Sequence, residues 1–581
     1  MIQLTPSLSQ GLPKRFADFA SLSEALDYAA RDQTGLNFFS GKGVLVEALP
    51  YAVLREQAIA LARRMLGAGL KVGDRVGLIA ETDGDFVRAF FACQYAGLVP
   101  APMPLPAAFG GKDGYIKHLR RMIESARATA AFGPTVLEAW LHEAVAGLGL
   151  KIAGTIAELS EVAPTTADLP APDPEGLSYL QYSSGSTRFP LGVAVTHRAF
   201  MANSSRIGRD GLGIVDGDRG ISWLPFYHDM GLVGFLLLPV ACQMTVDFIA
   251  TRDFARRPLL WLSLMSRNRG TIAFSPSFGF ELCARRAKPS STDELDLSSW
   301  RCAGIGGDMI RPNVLARFAE RFRPHGFDAN AFIPSYGMAE ATLALSFAPK
   351  GTGARTDTVD SFQLEHERRA VPAGPEKGRT RTFVLCGYVL PDHAFEVRDE
   401  NHRILPDRQI GRIFVRGPSM MDGYFGAPEE TDRVMSDGWL DTGDLGYLKD
   451  GQIVLTGRAK DLIIVNGRNI WPQDLEWAVE EDVEMLRSGD VVAFSVDGDA
   501  DEQVVSLVQC RSSDANVRDE LAAQIANVLR TRHGVEATVV LVPPHGLPQT
   551  SSGKLSRSQA RALYLAGHFR HATELADAES R

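Results

Sequence analysis

The chain has 581 residues, 45% hydrophobic and 23% charged, with a net charge of −9. That length exceeds what one hydrophobic core organises and predicts several units of roughly 100–200 residues. The acidic balance, with no cluster of Lys and Arg, excludes a general nucleic-acid surface and predicts no nucleic-acid partner.

The N-terminal MIQLTPSLSQGLPKRF has no apolar core of a secretion signal, which predicts a cytoplasmic protein. Leu54, Ala58, Leu61 and Met65 recur on one face of a helix that Gly67 and Gly69 stop. A strand follows at Arg75–Ile79, then an apolar helix around 86–96 and the proline-rich AGLVPAPMPLP. That alternation predicts an α/β fold with a largely parallel sheet. Residues 164–176, with four prolines and several acids, read as an exposed connection. LSYLQY at 177–182 has strand character, 183–192 breaks it, and VAVTH resumes it. The longest apolar run, 231–242, contains Pro239 and falls short of the ~20 residues of a membrane span; it predicts core or pocket wall and no transmembrane segment.

The β segments GRIFVRG and GQIVLTG precede a change near residue 460. Beyond it VVAFSV, VVSLVQC, an amphipathic helix through Val517, Leu521, Ile525 and Val528, and the strand VEATVVLV predict a small α+β domain. The expected division is 1–459 and 460–581. The six cysteines lie far apart with no CxxC pair, so they read as buried hydrophobes rather than zinc ligands or disulfides.

The break at 183–192 is the richest segment. Ser183, Ser184, Ser186 and Thr187 offer hydroxyl donors, Gly185 and Gly192 permit close backbone approach, and Arg188 offers a permanently charged fork for phosphate oxygens. A loop between strands still has backbone N–H groups to give an anion. No GxxxxGK[ST] is present, so this is not a Walker loop. Taken alone, the segment also reads as a polar surface hairpin. Its alkyl Leu191 stands where a cation is expected, which leaves Arg188 to supply the charge.

Five more segments follow in order: SWLPFYHDMGLVG (222–234), PSYGMAEATL (334–343), GWLDTGDLGYL (438–448), GRAKDLIIVNGRNIWPQDLE (457–476) and PQTSSGKLSR (548–557). Together with the loop they resemble the adenylate-forming superfamily of acyl-CoA synthetases, luciferases and peptide-synthetase adenylation domains. Within it the chain looks most like the fatty acyl-AMP ligases, on three features: HDMGL (228–232), SPSFGFELC (275–283) and an extra polar stretch at about 350–380. The resemblance implies a large N-terminal domain with parallel-rich sheets and a β-barrel-like subdomain, and a small mobile C-terminal domain. It implies an ATP- and Mg2+-dependent enzyme that makes a fatty acyl-adenylate and passes the acyl group to an acyl carrier protein, or carrier domain, acting in trans. The insertion is implied to hinder the domain movement that coenzyme A requires. Use of coenzyme A, and a binding protein without turnover, are the alternative readings, the latter motivated by Leu191.

By the same resemblance Lys554, in the small-residue loop SSGK, is the catalytic lysine, and His228 lies beside the substrate carboxylate and the adenylate. Glu340 is the magnesium ligand. Tyr336 offers a face for adenine, with Gly337, Met338, Ala339, Gly306, Gly307 and Asp308 around the nucleotide. Asp444 and Arg458 hold the ribose. Asp229, Gly231, Ser277 and Phe278 belong to the acyl side, with the apolar stretches at 231–242 and 275–283 as a tunnel. Lys460 and Asp461 form the hinge. Each has a plainer reading as a core, cap or surface residue, and the six ordered motifs are what favour the functional one.

Overall fold

The structure, a computed structural model, describes residues 2–106, 111–182, 190–288, 292–374, 378–465, 467–497, 502–550 and 554–569. The second helix runs Tyr51–Gly67 and buries Leu54, Ala58, Leu61 and Met65, the four residues whose spacing predicted it. The strand Arg75–Ile79 and the helix Gly84–Tyr95 follow as expected. Four parallel strands, Val99–Met103, Arg75–Ile79, Ala128–Phe132 and Ile152–Gly154, make the first sheet.

A nine-stranded sheet forms the second layer. Its six central strands, Phe332–Gly337, Cys302–Ile305, Ile272–Ser275, Arg219–Ser222, Thr245–Ile249 and Gly35–Phe39, are parallel neighbours, and antiparallel strands flank them. Parallel strands covered on both faces read as continuous apolar runs, and most of these are buried throughout. LSYLQY and VAVTH become the antiparallel hairpin Leu177–Tyr182 and Gly192–Thr196, joined by the short strand Gly423–Tyr424. The loop residues 183–189 fall outside the described part of the chain.

Strands Ala394–Arg398, Gly411–Arg416, Met435–Ser436, Trp439–Lys449 and Gln452–Arg458 build an antiparallel sheet, the barrel-like unit of the expected fold. Past it, Val491–Asp497, Glu502–Gln509 and Ala537–Val542 form a mixed three-stranded sheet with helices Pro472–Asp482, Ala515–Val528 and Arg557–Leu565. Leu521, Ile525 and Val528 bury the predicted apolar stripe. Two clusters of buried side chains, drawn from residues 463–560, serve this part alone.

The polar stretch at 350–380 is more than a surface loop. Thr356–Asp360 pairs with Thr380–Val384 across a helix at Ser361–Glu367. Val359, Leu364 and Phe383 share a core with Tyr447 and with Trp471 from beyond residue 460. The six cysteines are buried and unpaired. Among the described residues no helix is long and apolar enough to cross a membrane.

Candidate active site

A cavity of about 510 Å3 opens at the carboxyl ends of the parallel strands, where α/β sheets carry their ligand sites. One end is polar and ringed by Tyr336, Glu340, Asp444, Arg458, His228 and Lys554; the other is apolar. Tyr336 is the last but one residue of its strand, and Gly337 ends it because a Cβ there would meet the Leu343 carbonyl at 1.9 Å. The Tyr336 hydroxyl donates to Asp444 Oδ2 at 2.7 Å. Asp444 and Arg458 face each other in register on adjacent strands, with Arg458 Nε 3.5 Å from Asp444 Oδ1. Gly443 takes φ +71°, a conformation glycine adopts without strain, and so turns Asp444 inward from Thr442. Burial pushes the Asp444 carboxyl up, and Arg458 and Tyr336 work against that shift.

Glu340 is 9% exposed, and its Oε1 accepts the Tyr424 hydroxyl at 2.8 Å. Burial raises its carboxyl above the ordinary range. His228 Nδ1 lies 2.6 Å from Asp229 Oδ1. Burial opposes the Asp229 charge, yet His228 and then Lys554 outweigh it and hold the carboxyl low. Lys554 enters from the small C-terminal sheet's side: its Nζ donates to the Gly307 carbonyl. Its loop is pinched by Thr550, whose N–H donates to the Lys554 carbonyl at 2.7 Å, and by pairing of Gln549 with Leu555.

Lys460 also lines the cavity, and burial followed by Arg458 lowers its ammonium. Lys460 and Asp461 lie in the turn Ala459–Asp461. Arg557, three residues past Lys554, reaches Asp461 at 3.1 Å and Glu476 at 2.6 Å, so the lysine loop is anchored to that turn.

The model of the AMP-binding enzymes matches residues 32–425. The chain belongs to the AMP-binding enzyme family. A Caulobacter vibrioides protein named provisionally as an acyl-CoA synthetase is 57% identical over 98% of this chain and 99% of its own length. The medium-chain-fatty-acid–[acyl-carrier-protein] ligase JamA of Moorena producens is 33% identical over 95% and 96%. A solved chain from studies of fatty acyl-adenylate ligases of E. coli and L. pneumophila superposes with a TM-score of 0.92 at 46% identity, covering 96% of this chain and 100% of that one. Within the AMP-binding enzymes the chain is therefore an adenylate-forming ligase of the fatty acyl-AMP ligase type.

The apolar end of this AMP-binding enzyme's cavity is walled by Ile207, Leu212, Phe235, Leu238, Phe274 and Phe347. Two π-helical turns shape it, Ile207–Gly211 and Leu232–Leu237; such widened turns recur at functional sites. Phe235 and Leu238 come from the run at 231–242, as the sequence predicts. The segment 275–283 does not line the cavity. Phe278 lies edge-on to Trp223 with centroids 5.6 Å apart, the Ser277 hydroxyl accepts the Arg311 N–H at 3.2 Å, and Phe280 packs into an aromatic cluster with Trp261, Trp300 and Phe318. The helix Ser277–Arg286 turns those side chains off the cavity wall, and Phe274 just before it faces in.

Gly306, Asp308, Gly231 and Asp461 likewise stand outside the lining, whereas Gly307, Gly337, Met338 and Ala339 are part of it. Asp308 is exposed but acts on Arg458 through its charge. Ser183, Ser184, Gly185, Ser186, Thr187 and Arg188 lie outside the described residues. Leu191, at the loop's end, is on the cavity wall. Sequence reasoning missed Tyr424, Arg412, Leu343 and Phe347. Leu343 and Arg412 lie inside quoted segments, PSYGMAEATL and GRIFVRG, without standing out there, and Tyr424 and Phe347 sit in no motif, so only spatial neighbours far along the chain reveal them.

Proposed function

We propose that this ligase converts a fatty acid and ATP into fatty acyl-AMP and pyrophosphate, then transfers the acyl group to the phosphopantetheine thiol of an acyl carrier protein. One observation carries the reading: a single cavity is lined both by Tyr336, Asp444, Arg458 and Lys554 and by a set of apolar side chains. Adenine stacks on Tyr336, and Asp444 with Arg458 grips the ribose. The alkyl chain lies along the apolar wall, which places its carboxylate near His228. In the first step a carboxylate oxygen attacks the α-phosphorus, the new O–P bond forms, and pyrophosphate leaves. Both reactants are anions, so the step needs cations that act on the developing charge, and Lys554 Nζ supplies one. In the second the thiolate attacks the acyl carbonyl and AMP leaves.

A divalent cation fits this donor set. Glu340 is a buried carboxylate with one oxygen held by Tyr424, and a hard cation would offset the cost of its burial. Magnesium held there would supply positive charge to offset that of the phosphates. Glu340 would hold it, and the loop hydroxyls of Ser183, Ser184, Ser186 and Thr187, with Arg188, would hold the phosphates.

The insertion favours a carrier protein over coenzyme A. Glu365, 11% exposed on its side chain, pairs with Arg468 at 2.8 Å, and its carbonyl accepts Asn469 Nδ2 at 2.7 Å. Arg381 pairs with Asp474 at 2.9 Å. We take 1–459 and 460–581 as the two domains and Lys460 with Asp461 as the pivot; rotation about it would break these buried pairs. The relative named as an acyl-CoA synthetase motivates the second reading, in which coenzyme A is the acceptor. Fatty-acid-dependent pyrophosphate release, run with hydroxylamine, coenzyme A or a holo carrier as acceptor, decides. Thioester on the carrier with little acyl-CoA is the expected result; efficient acyl-CoA formation overturns the acceptor, and no adenylate at all overturns the enzyme.

A further inference from the structure

Glu340 is not held by its own segment alone. Tyr424 Oη donates to Glu340 Oε1 at 2.8 Å, and both side chains line the cavity. Two more bonds stitch the same stretches together: the Met421 N–H donates to the Glu340 carbonyl at 2.8 Å, and Thr342 Oγ1 to the Ser419 carbonyl at 2.8 Å. Tyr424 lies on the strand Gly423–Tyr424, which pairs with the strand leaving the phosphate loop through Tyr424 opposite Val193 and Gly423 opposite Ala194. The Phe425 N–H closes that contact on the Gly192 carbonyl at 2.8 Å. The phenol thus ties the carboxylate to the hairpin that carries the loop, although 84 residues separate the pair in sequence. The terminal torsion of a glutamate is broad and roughly two-fold, so an unheld carboxylate offers either oxygen over a range of directions. A phenol fixed on Oε1 holds that carboxylate in one orientation at the cavity wall.

We propose that Tyr424 is a positioning residue for the divalent cation that accompanies the nucleotide. It acts through Glu340 and registers that carboxylate against the strand leaving the phosphate loop. The proposal rests on the reading of Glu340 as a metal ligand. Tyr424→Phe keeps the ring and removes only the donor.

The test uses the full chain and three variants, Tyr424→Phe, Glu340→Gln and the double. Binding of Mn2+ is followed by electron paramagnetic resonance in the presence of an ATP analogue with a methylene between the α- and β-phosphorus atoms. The Mg2+ concentration for half-maximal pyrophosphate release is measured alongside. Groups that orient a metal ligand contribute about 10–100-fold to metal affinity. Tyr424→Phe is therefore expected to weaken Mn2+ by about tenfold or more, with metal-free analogue binding unchanged. The double variant should bind no more weakly than Glu340→Gln, because the phenol works only through the carboxylate. Wild-type Mn2+ affinity in Tyr424→Phe beside a loss in Glu340→Gln overturns the proposal, as do losses that add in the double variant. Wild-type affinity in Glu340→Gln overturns the metal reading and this proposal with it, so the silent single variant tells the two failures apart.

Discussion

Lys554 reaches the cavity from a loop whose supporting sheet and helices have buried clusters of their own, and its ammonium rests on the Gly307 carbonyl 247 residues away. Lys554→Ala is accordingly expected to lower the rate of adenylate formation roughly 10²–10³-fold, the size of effect seen when one transition-state donor is removed. Single-turnover adenylate yield checks it, with thermal unfolding expected to stay at the wild-type midpoint; a near-normal yield rejects the role. At this scale the legible residues were those embedded in motifs: Tyr336, Glu340, Asp444, Arg458 and Lys554 all line one cavity. Tyr424 and Phe347 were not legible, because a lone aromatic in a strand has the same local signature in a site as in a core. Ser277 and Phe278 stand outside the cavity lining, and a short apolar segment does not reveal which of its faces turns to a cavity.

The insertion is the element on which the acceptor question turns. Its helix Ser361–Glu367 carries Glu365, which binds Arg468 and Arg379, and Arg379 Nη1 in turn donates to the Arg532 carbonyl at 3.0 Å. Removing that carboxylate leaves two arginines without their shared partner and loosens the grip on the part of the chain beyond residue 460. Glu365→Ala is expected to raise coenzyme A-dependent thioester formation about tenfold, within the usual range of coupling between two states, with the rate of adenylate formation little changed. Unaltered acyl-CoA output in this variant would leave the insertion without a gating role. The sequence located the stretch but not its character. Its strands are five residues each and face a core assembled from Tyr447, Val454 and Trp471, so the apolar pattern makes sense only once those partners are in place. The helix at Tyr51–Gly67, by contrast, was legible, because four apolar residues from Leu54 to Met65 mark one face of it.

Across the whole molecule, one arrangement of the C-terminal part against the large sheets sets the site. Arg311 pairs with Glu480 at 2.9 Å and donates to Ser488 Oγ at 2.9 Å, and Lys554 meets Gly307 on the same side of the chain's divide. At the other end, buried His197 takes the Leu22 N–H on Nδ1 at 3.3 Å and so holds the first helix, Leu22–Ala29. Burial lowers its pKa from 6.5 to about 4. The unfolded chain therefore binds the proton more tightly, unfolding takes it up, and acid favours unfolding. This stabilisation is full above pH 6.5 and is lost as the pH falls toward 4. Urea midpoints at pH 7 and pH 5 should differ more for wild type than for His197→Gln, and equal differences would count against the assignment. By itself the sequence determined what local patterning encodes: the most strongly periodic helices, the α/β class, the order of the motifs and the chemical types that an adenylating site needs. Only the tertiary structure decided which face of each element meets the cavity, that Tyr424 holds Glu340, and that the insertion grips the C-terminal part. Those contacts join residues tens to hundreds of positions apart, and their partners are fixed by packing and burial rather than by any periodicity along the chain.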